Sequence, residues 1–213
     1  MSITVLIIAI TALISYQGFS DPALVQRLVF HPASIKNRGE VYRFITHGFI
    51  HKDFNHLLFN MWALYIFGST TEQLFAGLIF PNPLLGRVMY LVFYVAAIAA
   101  ASYVSFVRHQ DNYGYSALGA SGAVAAMMWP YVFYAPWNWF IFPPLPAILL
   151  GPLYIWYSNY MDKRGGGTVG HNAHLWGAIF GLVFYVVLLV FRKPELLEYF
   201  FLQLLNPQGP SFM

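Results

Sequence analysis

From Val88 to Val107 the chain runs for 20 residues without a charged side chain. A helix needs about 20 apolar residues to cross the hydrocarbon core of a bilayer, and there the backbone must close its own hydrogen bonds. Five further runs are predominantly apolar: Ser2–Tyr16 (extendable to Phe19), Phe54–Phe75, Leu118–Ala135 with Pro130 inside it, Ala147–Met161 and His171–Phe191. Charged residues make up 9% of the chain, against about 25% in soluble domains. The expected fold is all-α: a polytopic membrane protein with six transmembrane helices, forming one domain over residues 1–213, since no internal repeat or linker divides it.

Cysteine is absent, which removes disulfide and thiolate chemistry. The formal net charge of +3 is spread thinly, with no basic block suited to nucleic acid. The first run begins at Met1 without a charged flank or a clear cleavage site, and reads as a retained helix rather than a signal peptide.

The longest connection, Ser20–Asp53, mixes Arg27, Lys36, Arg38, Glu40 and Arg43 with Leu28, Val29 and Phe30. That mixture suits an interfacial structure lying among lipid headgroups. Ala76–Arg87 contains Pro81, Asn82, Pro83 and Gly86 and reads as a turn. Arg108–Ser116 is short and polar, Pro136–Pro146 is rich in Pro and Trp, and Asp162–Gly170 carries Gly165, Gly166 and Gly167. In the tail, Glu195–Leu205 reads as an amphipathic helix on the membrane surface.

Polar and ionisable groups inside a membrane are costly and mark function. Here they sort by parity. His56 and Asn60 open the second span, Ser121 the fourth, and His171, Asn172 and His174 the sixth. Even-numbered spans all begin on one side of the membrane, so these groups share a depth whichever way the chain is inserted. A serine hydroxyl needs a base to become a nucleophile, and His174 is the candidate. His56 and Asn60, four residues apart, share a helix face and can aim donors at a developing oxyanion. Ser121 at a helix N-terminus adds unpaired backbone N–H groups. No Asp or Glu is expected inside a span, so a Ser-His dyad is expected rather than a triad. Gly119-Ala120-Ser121-Gly122 taken alone is an ordinary helix-packing sequence. Gly177 and Gly181 form a small-residue stripe on the His174 face, and Gly122, Ala123 and Ala126 offer a matching face. Packing of these helices would carry His174 to Ser121.

Together the motifs resemble those of the rhomboid intramembrane serine proteases. Gly119-Ala120-Ser121-Gly122 matches the family's GxSG. Ala173-His174-Leu175-Trp176-Gly177 with Gly181 matches its AHxxGxxxG, and His56 to Asn60 its HxxxN. Glu40-Val41-Tyr42-Arg43 resembles its loop motif, and Thr46-His47 and His51 follow its pattern. The resemblance implies a core at about 40–192 followed by a tail at 193–213. It implies Ser121 as nucleophile and His174 as base. It implies an oxyanion site from His56, Asn60 and the Ser121 N–H, with Arg43, Gly119, Gly122, Gly177 and Gly181 as structural support. It further implies no cofactor or metal, transmembrane-helix substrate proteins cut within the lipid bilayer, and a gate and cap formed by the fifth span and the Gly165–Gly167 loop. A bacterial inner membrane with both termini cytoplasmic is the implied setting.

Three positions depart from the family: Tyr42 replaces a usual Trp, Ala125 replaces an aromatic that packs on the catalytic histidine, and Trp129 stands where a small residue is common. His174 is then expected to be held less firmly unless Trp176 or another ring substitutes. The positive-inside rule also opposes the implied orientation: Arg27, Lys36, Arg38, Arg43, Lys52, Arg108, Lys163 and Arg164 lie on the site's side, and Arg87, Arg192 and Lys193 on the other.

Among rival readings, a metal site would draw on His47, His51, His56, His171 and His174, but no HExxH is present and structural roles fit His47 and His51. A transporter predicts internal repeats and paired broken helices, which the sequence lacks. An aspartyl intramembrane protease needs paired Asp residues in its spans. An inactive rhomboid-like protein that binds helices without cutting them loses the serine or the histidine; this chain keeps both.

Overall fold

The computed structural model describes residues 2–140, 144–164, 170–207 and 211–212. The Gly165–Gly167 loop, expected as a cap, lies outside the described residues. Helices dominate: α1 (Ile3–Gly18), α2 (Pro22–Leu28), α3 (Pro32–Arg38), α4 (Arg43–Thr46), α5 (Phe54–Leu74), α6 (Pro83–His109), α7 (Ser121–Tyr134), α8 (Ala147–Arg164), α9 (His171–Arg192) and α10 (Pro194–Leu205). Two-residue strands β1 (Asn138–Trp139) and β2 (Ser211–Phe212) pair in parallel. A helix stands at each of the six expected spans. Two of them, α6 and α9, are long and apolar enough to cross a membrane.

Boundaries moved where local chemistry decided them. Asn82 caps α6, its side chain accepting the Leu84 and Leu85 N–H groups at 2.8 and 3.3 Å. An Asn cap followed by Pro at the first helical position starts a helix, so Pro83 and Gly86, expected in a turn, lie inside α6. A single π-type turn, Phe75–Ile79, fills the shortened connection. The fourth helix begins at Ser121 rather than Leu118, because Gly119 has φ of 114°, a conformation open to glycine and closed to a helix.

α7 is the hub. Every residue from Gly122 to Phe133 is buried, and α5, α6, α8, α9 and α10 all pack on it. Its contact with α9 depends on small residues. A Cβ at Gly177 would collide with the Gly122 carbonyl, and one at Gly181 would come within 2.7 Å of the Ala126 Cβ. Large apolar side chains face outward from the surrounding helices, among them Leu13, Phe59, Trp62, Leu84, Trp156 and Phe191. Exposed apolar surface on that scale marks contact with another apolar phase.

The expectation that acidic residues are absent from the spans fails at Glu72. It lies inside α5 and is 5% exposed. It accepts the Ile3 and Thr4 backbone N–H groups, both at 2.9 Å, and the Ser2 and Thr4 hydroxyls at 2.6 and 2.8 Å. The carboxylate thus satisfies the unpaired N–H groups of α1 at their positive dipole end. It sits at the opposite end of α5 from His56, so the sorting by parity holds for the serine and histidines but not for this group.

The long first connection is folded. Arg43 is 7% exposed. Its guanidinium donates to Glu40 Oε2 at 2.6 Å, the Gln26 carbonyl at 2.7 Å and the Val29 carbonyl at 2.8 Å. A planar, permanently charged fork suits three acceptors from separate points of one loop. Phe30 and Ala117 exchange backbone hydrogen bonds at 2.9 and 3.0 Å, which ties this loop to the segment entering α7. The tail helix α10 packs Phe200 face to face on Phe133, with ring centroids 4.4 Å apart, so it is docked on α7 as well as amphipathic.

Candidate active site

Gly119 and Ala120 lead into Ser121, and the first loop holds both. The Gly119 N–H donates to the His47 carbonyl at 2.9 Å, and the Ala120 N–H donates to His51 Nε2 at 3.3 Å. With Nε2 accepting, the His51 proton resides on Nδ1, which lies 3.0 Å from Ser15 Oγ. Ser15 in turn donates to the Phe49 carbonyl at 3.1 Å. A chain of hydrogen bonds therefore runs from α1 to the residue before Ser121. Burial lowers the pKa of His51 to about 3, with a smaller contribution from the neighbouring His56. Burial likewise lowers that of His47 to about 4. Both act as neutral structural groups.

Ser121 is the first residue of α7, so its backbone N–H has no partner within the helix. His174 Nε2 lies 2.7 Å from Ser121 Oγ. The contact joins α7 to α9 across 53 residues of sequence. Among the described residues no carboxylate is hydrogen-bonded to His174. The nearest candidate in sequence, Asp162, instead accepts from Arg108 at 2.8 Å and Asn172 at 3.2 Å. Ser105 donates to Asn172 Oδ1 at 2.9 Å. Asn172 is therefore a structural link between α6, α8 and α9.

His56 and Asn60 differ in readiness. His56 Nδ1 accepts the Lys52 N–H at 3.5 Å, which leaves the proton on Nε2. That edge of the ring rests against Gly119, where a Cβ would come within 3.0 Å of Nε2. A second reason for glycine at 119 is thus room for His56. Asn60, 7% exposed, donates one amide hydrogen to the His56 carbonyl at 2.9 Å. Its amide is held by its own helix, with one hydrogen left to offer.

The ring that packs on His174 is Tyr154 of α8, at 5.8 Å between centroids and 29° between planes. Sequence reasoning did not single it out. The signal was available only by elimination, since Ala125 leaves the His174 face open and α8 has to supply what α7 does not. His171 meets His174 edge-on at 5.8 Å. The Trp129 Nε1 donates to the Ala178 carbonyl at 2.7 Å. Tyr42 is 45% exposed, with the Arg43 guanidinium 5.4 Å above its ring.

The chain is similar over most of its length to known proteins of one family. The family model described as "Rhomboid domain" matches residues 38–191. The chain is 31% identical over 201 residues to "Rhomboid protease GlpG" of Haemophilus influenzae, covering 91% of this chain and 94% of that protein. It is 35% identical over 150 residues to "RHOMBOID-like protein 12, mitochondrial" of Arabidopsis thaliana, covering 66% of this chain and 44% of the relative. It is 27% identical over 165 residues to "Rhomboid-related protein 1" of Caenorhabditis elegans, covering 72% and 42%. The chain thus spans less than half the length of the plant and nematode relatives and nearly all of the bacterial one.

Proposed function

The chain belongs to the rhomboid family, a membrane-embedded family, and on that premise we propose that it is an intramembrane serine endopeptidase that cleaves transmembrane segments of other membrane proteins. The observation that carries the proposal is the 2.7 Å contact between Ser121 Oγ and His174 Nε2. Ser121 attacks the scissile carbonyl carbon while its proton passes to His174. The carbonyl oxygen becomes an oxyanion, which the Ser121 N–H, the His56 Nε2–H and the spare Asn60 hydrogen stabilise. His174 then protonates the leaving amine. A water deprotonated by His174 hydrolyses the acyl-enzyme and regenerates Ser121.

The whole chain serves as one domain with six spans, and the short hub helix gives the site its depth. α7 has 14 residues, hence rises about 21 Å, against a hydrocarbon core of about 30 Å. Ser121 at its end therefore lies below the membrane surface, and water must reach it through a depression. Both termini lie in the cytoplasm, and a bacterial inner membrane is the setting, in keeping with the near full-length match to the Haemophilus protein. The positive-inside count is weakened as a guide because Arg43 is buried within the protein.

A fluorophosphonate probe should label the wild type at Ser121, and purified protein should cut at least one member of a panel of transmembrane-helix substrates. Labelling that survives in Ser121→Ala would remove the nucleophile assignment. A wild type that binds those helices and never cuts them would favour a non-catalytic helix-binding role.

A further inference from the structure

We infer that Tyr154 is the positioning residue that orients the His174 imidazole, and that Trp129 holds it there by fixing the seat of α8. The inference rests on the serine-protease reading above.

A base must present one nitrogen to its nucleophile along a defined direction. In this site the bond to Ser121 fixes one ring atom, and no carboxylate or other hydrogen-bond partner among the described residues holds Nδ1. Ala125, one turn beyond Ser121, offers only a methyl group. The ring plane of His174 is therefore set by what packs against it. Tyr154 packs on one face at 5.8 Å with 29° between the planes, and His171 meets the edge. A ring packed against the face hinders the rotation about Cβ–Cγ that would swing the imidazole plane away from its present setting.

Tyr154 works only if α8 keeps its register. Gly151, three residues earlier and on the same face, is the notch that receives the Trp129 indole; a Cβ at Gly151 would come within 2.6 Å of Trp129 Cζ3. The other side of that indole donates to the Ala178 carbonyl of α9, one turn beyond His174. Trp129, about two turns beyond Ser121 on α7, thus reaches both neighbouring helices. The two departures on α7, a small residue at 125 and a large one at 129, form one arrangement. The orienting ring has moved to α8, and the added indole pins α8 in place.

The test uses the full chain in liposomes with a fluorogenic transmembrane substrate, reading kcat and KM across pH, together with the rate of fluorophosphonate labelling. Tyr154→Leu is expected to lower kcat and the labelling rate roughly tenfold, to leave KM within about twofold, and to move the acid limb of the pH profile. Tyr154→Phe, which keeps the ring, recovers most of the loss. Trp129→Phe keeps bulk in the notch but loses the Ala178 bond, and is expected to lower kcat about threefold at unchanged KM. It also supplies the answer should Tyr154→Leu fail to fold. Wild-type kcat and pH profile in Tyr154→Leu, a Phe variant as impaired as the Leu variant, or wild-type kcat in Trp129→Phe would each overturn the inference. Absence of labelling in the wild type would instead sink the protease reading.

Discussion

Gly177 of α9 rests on the Gly122 carbonyl of α7 with no room for a methyl group between them. The contact lies one turn from the dyad, so helix packing and the Ser121–His174 distance are one variable. Gly177→Ala is expected to force the helices apart, at a cost of about 1–3 kcal/mol in stability, and to slow fluorophosphonate labelling by at least tenfold. Thermal unfolding in detergent and labelling kinetics measure the two effects. A variant that loses stability yet labels at the wild-type rate would show that the dyad does not depend on this contact.

His174→Ala should abolish turnover, because no other base among the described residues is hydrogen-bonded to Ser121. Asn60→Ala should leave activity reduced on the order of 100-fold, the effect of removing one oxyanion donor among several. Cleavage rates with one substrate compare them. Complete loss in both would mean that Asn60 matters chiefly through its bond to the His56 carbonyl.

Acid should destabilise the fold through His47 and His51. Their folded pKa values lie at about 4 and about 3, lowered chiefly by burial, against 6.5 when unfolded. Between those limits the unfolded chain binds protons that the folded chain does not. Their contribution is therefore complete above about pH 6.5 and declines as pH falls toward the folded values, by roughly 1.4 kcal/mol per pH unit for each group. Unfolding midpoints at pH 7.5 and 5 measure this, and His51→Gln should flatten the dependence. A midpoint that does not fall on acidification would argue against buried neutral histidines.

Arg43→Ala should cost about 3 kcal/mol, since it leaves the Gln26 and Val29 carbonyls and the Glu40 carboxylate without their donor. Arg43→Lys should recover little, because an ammonium cannot span three acceptors in the guanidinium geometry. Limited proteolysis of the first loop and unfolding midpoints distinguish the two variants from wild type. Full stability in Arg43→Lys would reduce the role of Arg43 to its charge.

The six long helices, the place of Ser121 near a helix start and the two small-residue faces that bear Gly177 and Gly122 were legible in the sequence. Each depends on a local period or on residue size. Apolar runs of spanning length have only one low-energy backbone form in lipid, and glycines at a four-residue spacing on one helix face mark where another helix can approach. Only the tertiary structure decided which side chains hold the site in shape. His51 reaches the Ala120 N–H from 69 residues away, Tyr154 reaches His174 from a different helix, and Glu72 caps a helix start 68 residues distant. Contacts of this kind depend on how helices are rotated about their axes, and that rotation is fixed by all the packed faces at once rather than by any one segment.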